Sequence, residues 1–175
     1  KATDSAALEY ELMDTGVFDA DRYFDVSIEY AKQSVDDIHI RITARNHGPE
    51  SHPIWLLPTV WFRNTWSWGH GAARPQLGRD GDRVTIAHPD MDAMQLACPG
   101  ADSLVFCDNE TNTRRLYGRD GAAFPKDGIN DHVVSGAATV NPAATGTKAS
   151  AIYRRDVPAG GAAVQHVERA AQRLD

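Results

Sequence analysis

The densest group of chemically capable side chains lies in one aromatic stretch, residues 54–69, which contains all four tryptophans of the chain. After Phe62, aromatic rings alternate with hydrogen-bonding groups, and the candidate contact residues are Arg63, Asn64, Trp66 and Trp68. Flat apolar rings beside guanidinium and amide groups form a surface on which a sugar ring can stack and be hydrogen-bonded. An interface with another protein domain uses the same chemistry, so both alternatives stay open at this point.

The first half of the same stretch contains Trp55 and Trp61 in a short apolar run bounded by turn residues. Such a run is typical of a core strand, so we predict that both rings are mainly buried. Trp66 and Trp68 are flanked by Thr, Ser and Gly. For these two rings, a place in the core and a place on a ligand-binding surface are about equally expected.

Two later segments, residues 124–132 and 141–148, have the composition of functional loops. Each combines a lysine, an amide and turn-forming residues, which can hold hydroxyl groups or contact another domain. The candidates in these segments are Lys126, Asp127, Asn130 and Lys148. The alternative, which we favour for each loop, is that its Asn, Asp and Gly residues serve backbone geometry alone.

Catalytic and metal-binding patterns are scarce. The chain contains no G-x-S-x-G, H-E-x-x-H, P-loop or G-x-G-x-x-G motif. His88, Asp90 and Asp92 have a spacing that can ligate a metal ion, but an acidic turn after a proline is usually only solvated. Asn109 begins a glycosylation pattern that is short enough to arise by chance. The 24 acidic residues single out no pair as general acid and base, so we predict no catalytic residue, metal or cofactor.

Length and composition describe a folded domain. A chain of 175 residues with 42% apolar and 24% charged residues can bury a hydrophobic core as a single domain. The formal net charge of -6 argues against non-specific nucleic-acid binding. No run approaches the ~18 consecutive apolar residues that a membrane span requires. We therefore expect neither a nucleic acid nor a membrane as a partner.

Hydrophobic alternation predicts an all-β protein. A period of two over residues 22–30 and 38–45 indicates two strands, which we join to the tryptophan-rich stretch in an antiparallel meander. Further strands are predicted at residues 8–13, 84–87, 93–98, 104–107, 115–117, 132–134 and 149–153, with a loop over residues 70–82. Short strands at this spacing indicate an antiparallel β-sandwich of the supersandwich kind.

The C-terminal segment carries two patterns at once. Val164, Val167, Ala171 and Leu174 recur at helical spacing, whereas a sandwich calls for a closing strand at this place. Both a short C-terminal helix and a strand therefore stay open.

The two cysteines are predicted to be free. If residues 99–102 close a hairpin, Cys98 opposes Ser103, and Cys107 lies four positions further along. That separation is roughly 13 Å, too long for a disulfide, so we expect two buried thiols.

Several long motifs resemble one enzyme family. Residues 9–18, 21–26, 29–32 and 57–69, and Asn141-Pro142 with Gly146-Thr147-Lys148, resemble bacterial glucosidase-like proteins related to glycoside hydrolase family 63, the mannosyl-oligosaccharide glucosidase-like group. The resemblance implies proteins of several hundred residues, in which a β-rich domain precedes a catalytic (α/α) barrel. The acid and base carboxylates of the family lie in that barrel, so no catalytic residue transfers to this sequence.

The implied function is that of an accessory domain. The resemblance predicts a non-catalytic β-sandwich that packs on the catalytic barrel of a hydrolase of O-glycosyl bonds and can contact gluco-oligosaccharides. The alternative is a purely structural interdomain module without affinity for sugar. The chain starts at Lys1 with neither an initiator methionine nor a signal peptide, so we expect a fragment of a larger protein. Localisation does not follow from this N-terminus, although the cytoplasm is slightly favoured.

Overall fold

Two antiparallel sheets pack face to face, and a short helix covers the outer face of the smaller sheet. The structure, a computed structural model, describes residues 9–69 and 71–171. Its strands are β1 (Phe24–Lys32), β2 (Ile38–Asn46), β3 (His52–Leu56), β4 (Thr59–Trp61), β5 (Gln76–Asp80), β6 (Arg83–His88), β7 (Met91–Ala97), β8 (Ser103–Cys107), β9 (Thr145–Gly146), β10 (Lys148–Val157) and β11 (Ala162–Ala171). Its helices are α1 (Thr113–Tyr117) and α2 (Gly128–Ser135), with 3-10 helices at Leu12–Thr15 and Trp66–Trp68.

The larger sheet has seven strands in the order β1-β2-β11-β7-β6-β5-β9. β1 and β2 form a regular hairpin in which Val26 opposes Ala44 and Ile28 opposes Ile42. Because side chains alternate between the two faces of a strand, these four residues lie on one face of the sheet. Ile42 and Ala44 are buried there, so this is the inner face of the sandwich.

The smaller sheet is built on β10. β8 pairs with one edge of β10, and β3 and β4 pair along the other edge. The register continues without a shift from Leu56 opposite Tyr153 to Thr59 opposite Ser150. β3 and β4 therefore form one edge strand, which we call β3–β4. Pro58 interrupts its ladder because proline has no N–H, although the Pro58 carbonyl still accepts from the amide of Ala151 at 3.1 Å.

The main core fills the space between the two sheets. Its largest fully buried side chains include Leu77 from β5, Phe106 from β8 and Tyr153 from β10. A second, smaller core lies on the other face of the small sheet, where Ile152 packs with Ile129 of α2. β10 is thus buried on both faces, and the all-β, antiparallel sandwich that the sequence predicts is confirmed.

The strands predicted at residues 22–30 and 38–45 are confirmed as β1 and β2. The predicted three-stranded meander is wrong. After Asn46 the chain crosses to the small sheet, where β3 pairs with β10, and β11 takes the place beside β2. The buried carboxamide of Asn46 fixes this crossing. Its Nδ2 donates to the carbonyls of Glu50 at 2.7 Å and Val157 at 3.0 Å, and its Oδ1 accepts from the amide of Gly48 at 2.8 Å.

The predicted strands at 84–87, 93–98, 104–107 and 149–153 correspond to β6, β7, β8 and β10. The strands predicted at 115–117 and 132–134 are wrong, because these residues lie in α1 and α2. Each helix is too short to show a sequence period, and capping decides its conformation. Gly118 and Gly136, both in the left-handed region, end α1 and α2. Among the described residues, no helix is long and apolar enough to cross a membrane.

Three local expectations also change. The strand predicted at 8–13 is wrong over its described part, where a 3-10 helix at Leu12–Thr15 forms, while residue 8 lies outside the described residues. The loop predicted over 70–82 contains β5. The helical spacing near the C-terminus is misleading, because β11 is a strand paired on both edges, and Val167 alone is fully buried among the described members Val164, Val167 and Ala171. Leu174 lies outside the described residues.

Both thiols are free and buried, as predicted, but the hairpin used in that argument is wrong. β7, which ends just before Cys98, pairs with β6 and β11 in the large sheet, whereas β8, which ends at Cys107, pairs with β10 in the small sheet. Burial raises the pKa of each thiol to about 11. Tyr153, beside Cys98, has a raised pKa for the same reason, and its hydroxyl has no nitrogen or oxygen partner in the described part of the chain.

We predict opposite outcomes for two buried polar side chains. Asn46→Ala removes the side-chain hydrogen bonds to the carbonyls of Glu50 and Val157 and the acceptor of the Gly48 amide, so the free energy of unfolding should fall by about 2–3 kcal/mol. Tyr153→Phe removes a hydroxyl that lacks a conventional partner, so stability should stay constant or rise by about 1 kcal/mol. Urea unfolding followed by circular dichroism measures both. Equal losses in the two variants would contradict the role assigned to Asn46.

The buried thiols predict alkaline instability. A thiol in the unfolded chain ionises near its ordinary pKa of about 8.5–9, whereas in the folded protein it stays neutral up to about 11. The unfolded state therefore loses protons first, and the free energy of unfolding should decrease as the pH rises from about 9 to about 11. The Cys98→Ala, Cys107→Ala double variant should show a shallower decrease in urea titrations. Identical pH profiles would refute the assignment.

Candidate functional site

The candidate residues of the aromatic stretch lie where the edge strand β3–β4 ends. β4 stops at Trp61, and the following loop closes into the 3-10 helix Trp66–Trp68. The Oδ1 of Asn64 accepts from the amide of Ser67 at 3.2 Å and so stabilises the start of this turn. Gly69 ends it with a φ of 76°, a conformation that favours glycine. The side chain of Asn64 therefore stabilises the conformation of this loop.

Trp66 is fixed by a polar cluster that includes residues from distant parts of the chain. Its indole Nε1 donates to Glu110 Oε1 at 2.9 Å. The same carboxylate lies 3.5 Å from the guanidinium of Arg74, which also contacts Asp108 Oδ1 at 2.6 Å. Asp108 and Glu110 are only 19% and 24% exposed, so these ion pairs are partly shielded from water. The ring of Trp66 thus has a defined orientation.

Trp68 presents an aromatic surface to solvent. Its residue is 52% exposed, and the guanidinium of Arg63 lies over its ring at 5.0 Å from the centroid. An arginine in this position is attracted by the ring electrons and also limits the rotation of the indole. Arg63, Trp66 and Trp68 are therefore brought together as one aromatic and cationic surface, which we call the tryptophan loop.

The two candidate lysines connect to this surface through backbone groups. The amide of Lys126 donates to the carbonyl of Glu110 at 3.0 Å. Lys148, which opposes Trp61 in the small sheet, donates from Nζ to the carbonyl of Lys126 at 3.0 Å. Lys126 and Lys148 therefore border the Glu110 cluster, although the ammonium of Lys148 is already engaged.

The other two candidates belong to a separate ion-pair network. Asp127 accepts hydrogen bonds from Asn112 at 3.0 Å and Arg115 at 3.2 Å, and so joins α1 to α2. Asn130 is exposed on α2 and donates to Asp131 at 3.3 Å. Asp127 therefore bonds to other side chains, and no hydrogen bond or ion pair joins Asp127 or Asn130 to the tryptophan loop among the described residues.

The expectation that Trp55 and Trp61 are core residues is wrong. They are 43% and 57% exposed, because both side chains lie on the outer face of the small sheet, away from the main core. Leu56, which follows Trp55 in the same strand, has its side chain on the inner face and is buried. Trp55 instead stacks with the guanidinium of Arg154 at 5.2 Å. The sequence alone could not distinguish an edge strand from a central one.

Sequence reasoning did not find Arg74, Asp108 and Glu110. Arg74 lies in the segment predicted to be a loop, and Glu110 is the second residue of the glycosylation pattern that begins at Asn109. One sequence feature points to Asp108: it directly follows the last residue of β8, and polar residues at strand ends often line functional sites. Arg74 and Asp108 also border a polar cleft of about 330 Å³ that extends to Thr147.

Most of the second predicted loop organises its own backbone. Asn141 donates from Nδ2 to the carbonyl of Thr145 at 2.7 Å and accepts from the amide of Ala143 at 3.0 Å. A side chain at Gly146 would collide with the carbonyl of Cys107, so the close approach of β9 to β8 requires glycine. Asn141 and Gly146 thus stabilise the backbone conformation of this loop.

Potential metal ligands lie elsewhere. Asp37, His39 and Glu168 have ligand atoms within 4.8 Å of one another, a nitrogen and oxygen donor set that suits several divalent cations. His39 Nε2, however, is already hydrogen-bonded to Gln33 at 2.7 Å. The ring of His88 packs on Phe62 at 5.1 Å and accepts from the amide of Asp90, which gives it a structural role.

These features define an antiparallel β-sandwich with an aromatic and charged surface at one end of its small sheet. No family model and no solved structure matches the chain. An uncharacterized protein of Saccharomyces cerevisiae, YMR196W, is 28% identical over 171 residues. The match covers 79% of this chain and 16% of the yeast protein, so the chain spans about a sixth of the length of this relative. The resemblance to glycoside hydrolase family 63 stays a prediction.

We predict that Glu110 controls the environment of Trp66. Glu110→Ala removes the acceptor for the indole N–H, so one of the four tryptophan indole cross-peaks in a ¹⁵N–¹H spectrum should shift. Glu110→Gln keeps an acceptor and should shift the same peak less, although it loses the ion pair with Arg74. Because these groups are partly exposed, each variant should change stability by less than about 1 kcal/mol. An unchanged spectrum for Glu110→Ala would contradict the contact.

Proposed function

We propose that the chain is a non-catalytic β-sandwich domain of a glucosidase-like hydrolase and that its tryptophan loop contacts carbohydrate. The observation that carries this proposal is the half-exposed ring of Trp68, held by Arg63 beside the fixed ring of Trp66. An aromatic face that is ordered without a ligand loses little conformational entropy when a sugar stacks on it. Charged groups beside the ring can then hydrogen-bond the sugar hydroxyls.

The catalytic partner in this proposal is an (α/α) barrel in a longer polypeptide. Two observations support it: the family resemblance of the sequence motifs, and the much greater length of the yeast relative, of which this chain spans 16%. In such an arrangement the β-sandwich packs on the barrel and helps to form one wall of the substrate cleft. The acid and base residues belong to the barrel, and this chain supplies contact residues only.

Hydrolysis by this chain itself is less well supported. Asp108 and Glu110 both contact Arg74, so two carboxylates lie close together beside a polar cleft, as in glycosidases. One guanidinium bridges both groups, however, and Glu110 also accepts from Trp66. Both carboxylates are thus already engaged by other groups of this chain. We therefore assign this cluster to the positioning of Trp66.

The alternative function is a structural interdomain module without affinity for sugar. Exposed tryptophan and arginine side chains are also enriched at protein interfaces, so Trp68 and Arg63 fit a docking surface equally well by chemistry. The two functions differ in whether the tryptophan loop binds sugar in the absence of another protein domain.

A titration with gluco-oligosaccharides, followed by tryptophan fluorescence and calorimetry, separates these functions. We expect weak binding, because a stacked ring contributes only about 0.5–1.5 kcal/mol beyond buried area. Trp68→Ala should therefore weaken binding about two- to tenfold. The matched control is Trp55→Ala, because Trp55 is similarly exposed and similarly stacked on an arginine but lies far along the edge strand.

The proposal requires that the two variants differ. Loss of binding in Trp68→Ala with unchanged binding in Trp55→Ala supports the carbohydrate role. No signal at millimolar sugar, or equal weakening in both variants, favours the structural module instead.

A further inference from the structure

The sandwich is open along one side. Val26, Ile28 and Tyr30 of β1 lie on the inner face of the large sheet, in line with the buried Ile42 and Ala44. They are nevertheless 48%, 52% and 70% exposed. The small sheet has fewer strands and ends before it reaches β1, so this apolar part of the inner face is uncovered. Exposed apolar residues in one contiguous row are unusual on a monomeric surface.

The edge strand β3–β4 forms the other wall of this open side. A groove of about 480 Å³ runs between the two walls, and its lining is mainly apolar. Ile28, Tyr30 and Ile40 contribute from the large sheet, and Val60 and Trp61 contribute from the edge strand. The groove therefore lies where a further strand of the small sheet would be placed.

The backbone of β3–β4 is arranged to accept such a strand. The carbonyl of Pro58 accepts from the amide of Ala151 in β10, and the amide of Phe62 donates to the carbonyl of Thr147, just before β10. Since backbone groups alternate in direction along a strand, those of Trp55, Thr59 and Trp61 point away from β10, towards the open side. No strand pairs with this edge in the described ranges. Free ladder groups beside an apolar face favour an extended strand over a helix as the occupant.

We propose that an extended segment from the remainder of a longer polypeptide adds to β3–β4 as a further strand. Neighbouring strands lie about 4.8 Å apart and packed sheets about 10 Å apart, so its inward side chains would cover Ile28 and Tyr30. Alternate residues of the segment should be apolar, to match this face. The proposal rests on that part of the proposed function which places this domain in a longer protein, and it is independent of carbohydrate binding.

Two considerations favour a segment of the same polypeptide over a second copy of this chain. This chain spans only 16% of its yeast relative, so most of a protein of that length lies outside it. A tethered segment also acts at a high effective concentration, which compensates for the modest affinity of one added strand.

Hydrogen exchange measured by mass spectrometry tests this inference. The full-length gene product and the 175-residue chain are compared over residues 24–32 and 52–61, with the amides of the central strand β10 as the internal standard of folding. We expect the outward amides of Trp55, Leu57, Thr59 and Trp61 to exchange at least about tenfold more slowly in the full-length protein. In the 175-residue chain they should exchange rapidly.

A pair of variants tests the apolar contact in the full-length protein. Ile28→Lys places a charge on the uncovered inner face and should restore rapid exchange over residues 52–61. Val164→Lys is the control, because Val164 is 46% exposed on the opposite face of the same sheet and should have no effect. Equal responses to both variants would contradict docking on the inner face.

Three other outcomes overturn the inference. Equal exchange in the long and short proteins means that nothing adds to this edge, and a gene product that ends near residue 175 means the same. Protection that increases with the concentration of the 175-residue chain identifies a second copy as the occupant. Because the sugar titration depends on Trp68, at the end of the sheet, it can succeed or fail without affecting this result.

Discussion

The pairing of β10 on both edges and its burial on both faces is the constraint on which the rest of the structure depends. Its small residues Ala149 and Ala151 are fully buried against the large sheet, and Ile152 faces α2. Small side chains let two layers approach a strand closely without loss of packing density. Because β8 and β3–β4 are hydrogen-bonded to this one strand, their positions follow from its register.

The same register determines the geometry of the candidate site. It places the end of β4 beside the end of β8, so Phe62 and Asn109 are neighbours, and Asn109 donates to the carbonyl of Phe62 at 2.8 Å. Glu110 follows directly and reaches the indole of Trp66. The tryptophan loop is therefore held by residues more than forty positions away in sequence. This support matters for the proposed contact with carbohydrate, because an unsupported exposed loop would lose more entropy on binding.

Seven strands face a smaller sheet, and this asymmetry explains where the apolar surface is exposed. Residues at the covered end of the inner face, such as Leu77, are fully buried, whereas Tyr30 at the uncovered end is 70% exposed. The difference in exposure comes from the extent of the partner layer, since both residues fit a core by type.

The sequence by itself determined the fold class and the β1–β2 hairpin. These follow from local alternation and turn chemistry, which act between neighbours in sequence. It also indicated Arg63, Trp66 and Trp68 as a group, because they belong to one short loop. Asp127 and Asn130 could not be separated from that group by composition, since an aspartate in a binding loop and one in an ion-pair network look alike in sequence.

Only the tertiary structure decided which strand lies at an edge and which lies at the centre. Trp55 and Trp61 have the sequence of a core strand, yet they are exposed because they lie on the outer face of the edge strand β3–β4, whereas Leu56 on its inner face is buried. Val164 and Ala171 have helical spacing, yet β11 is extended because β2 and β7 offer hydrogen bonds on both sides. Long-range pairing supplies these contacts, and its free energy exceeds the small local preferences that the sequence displays.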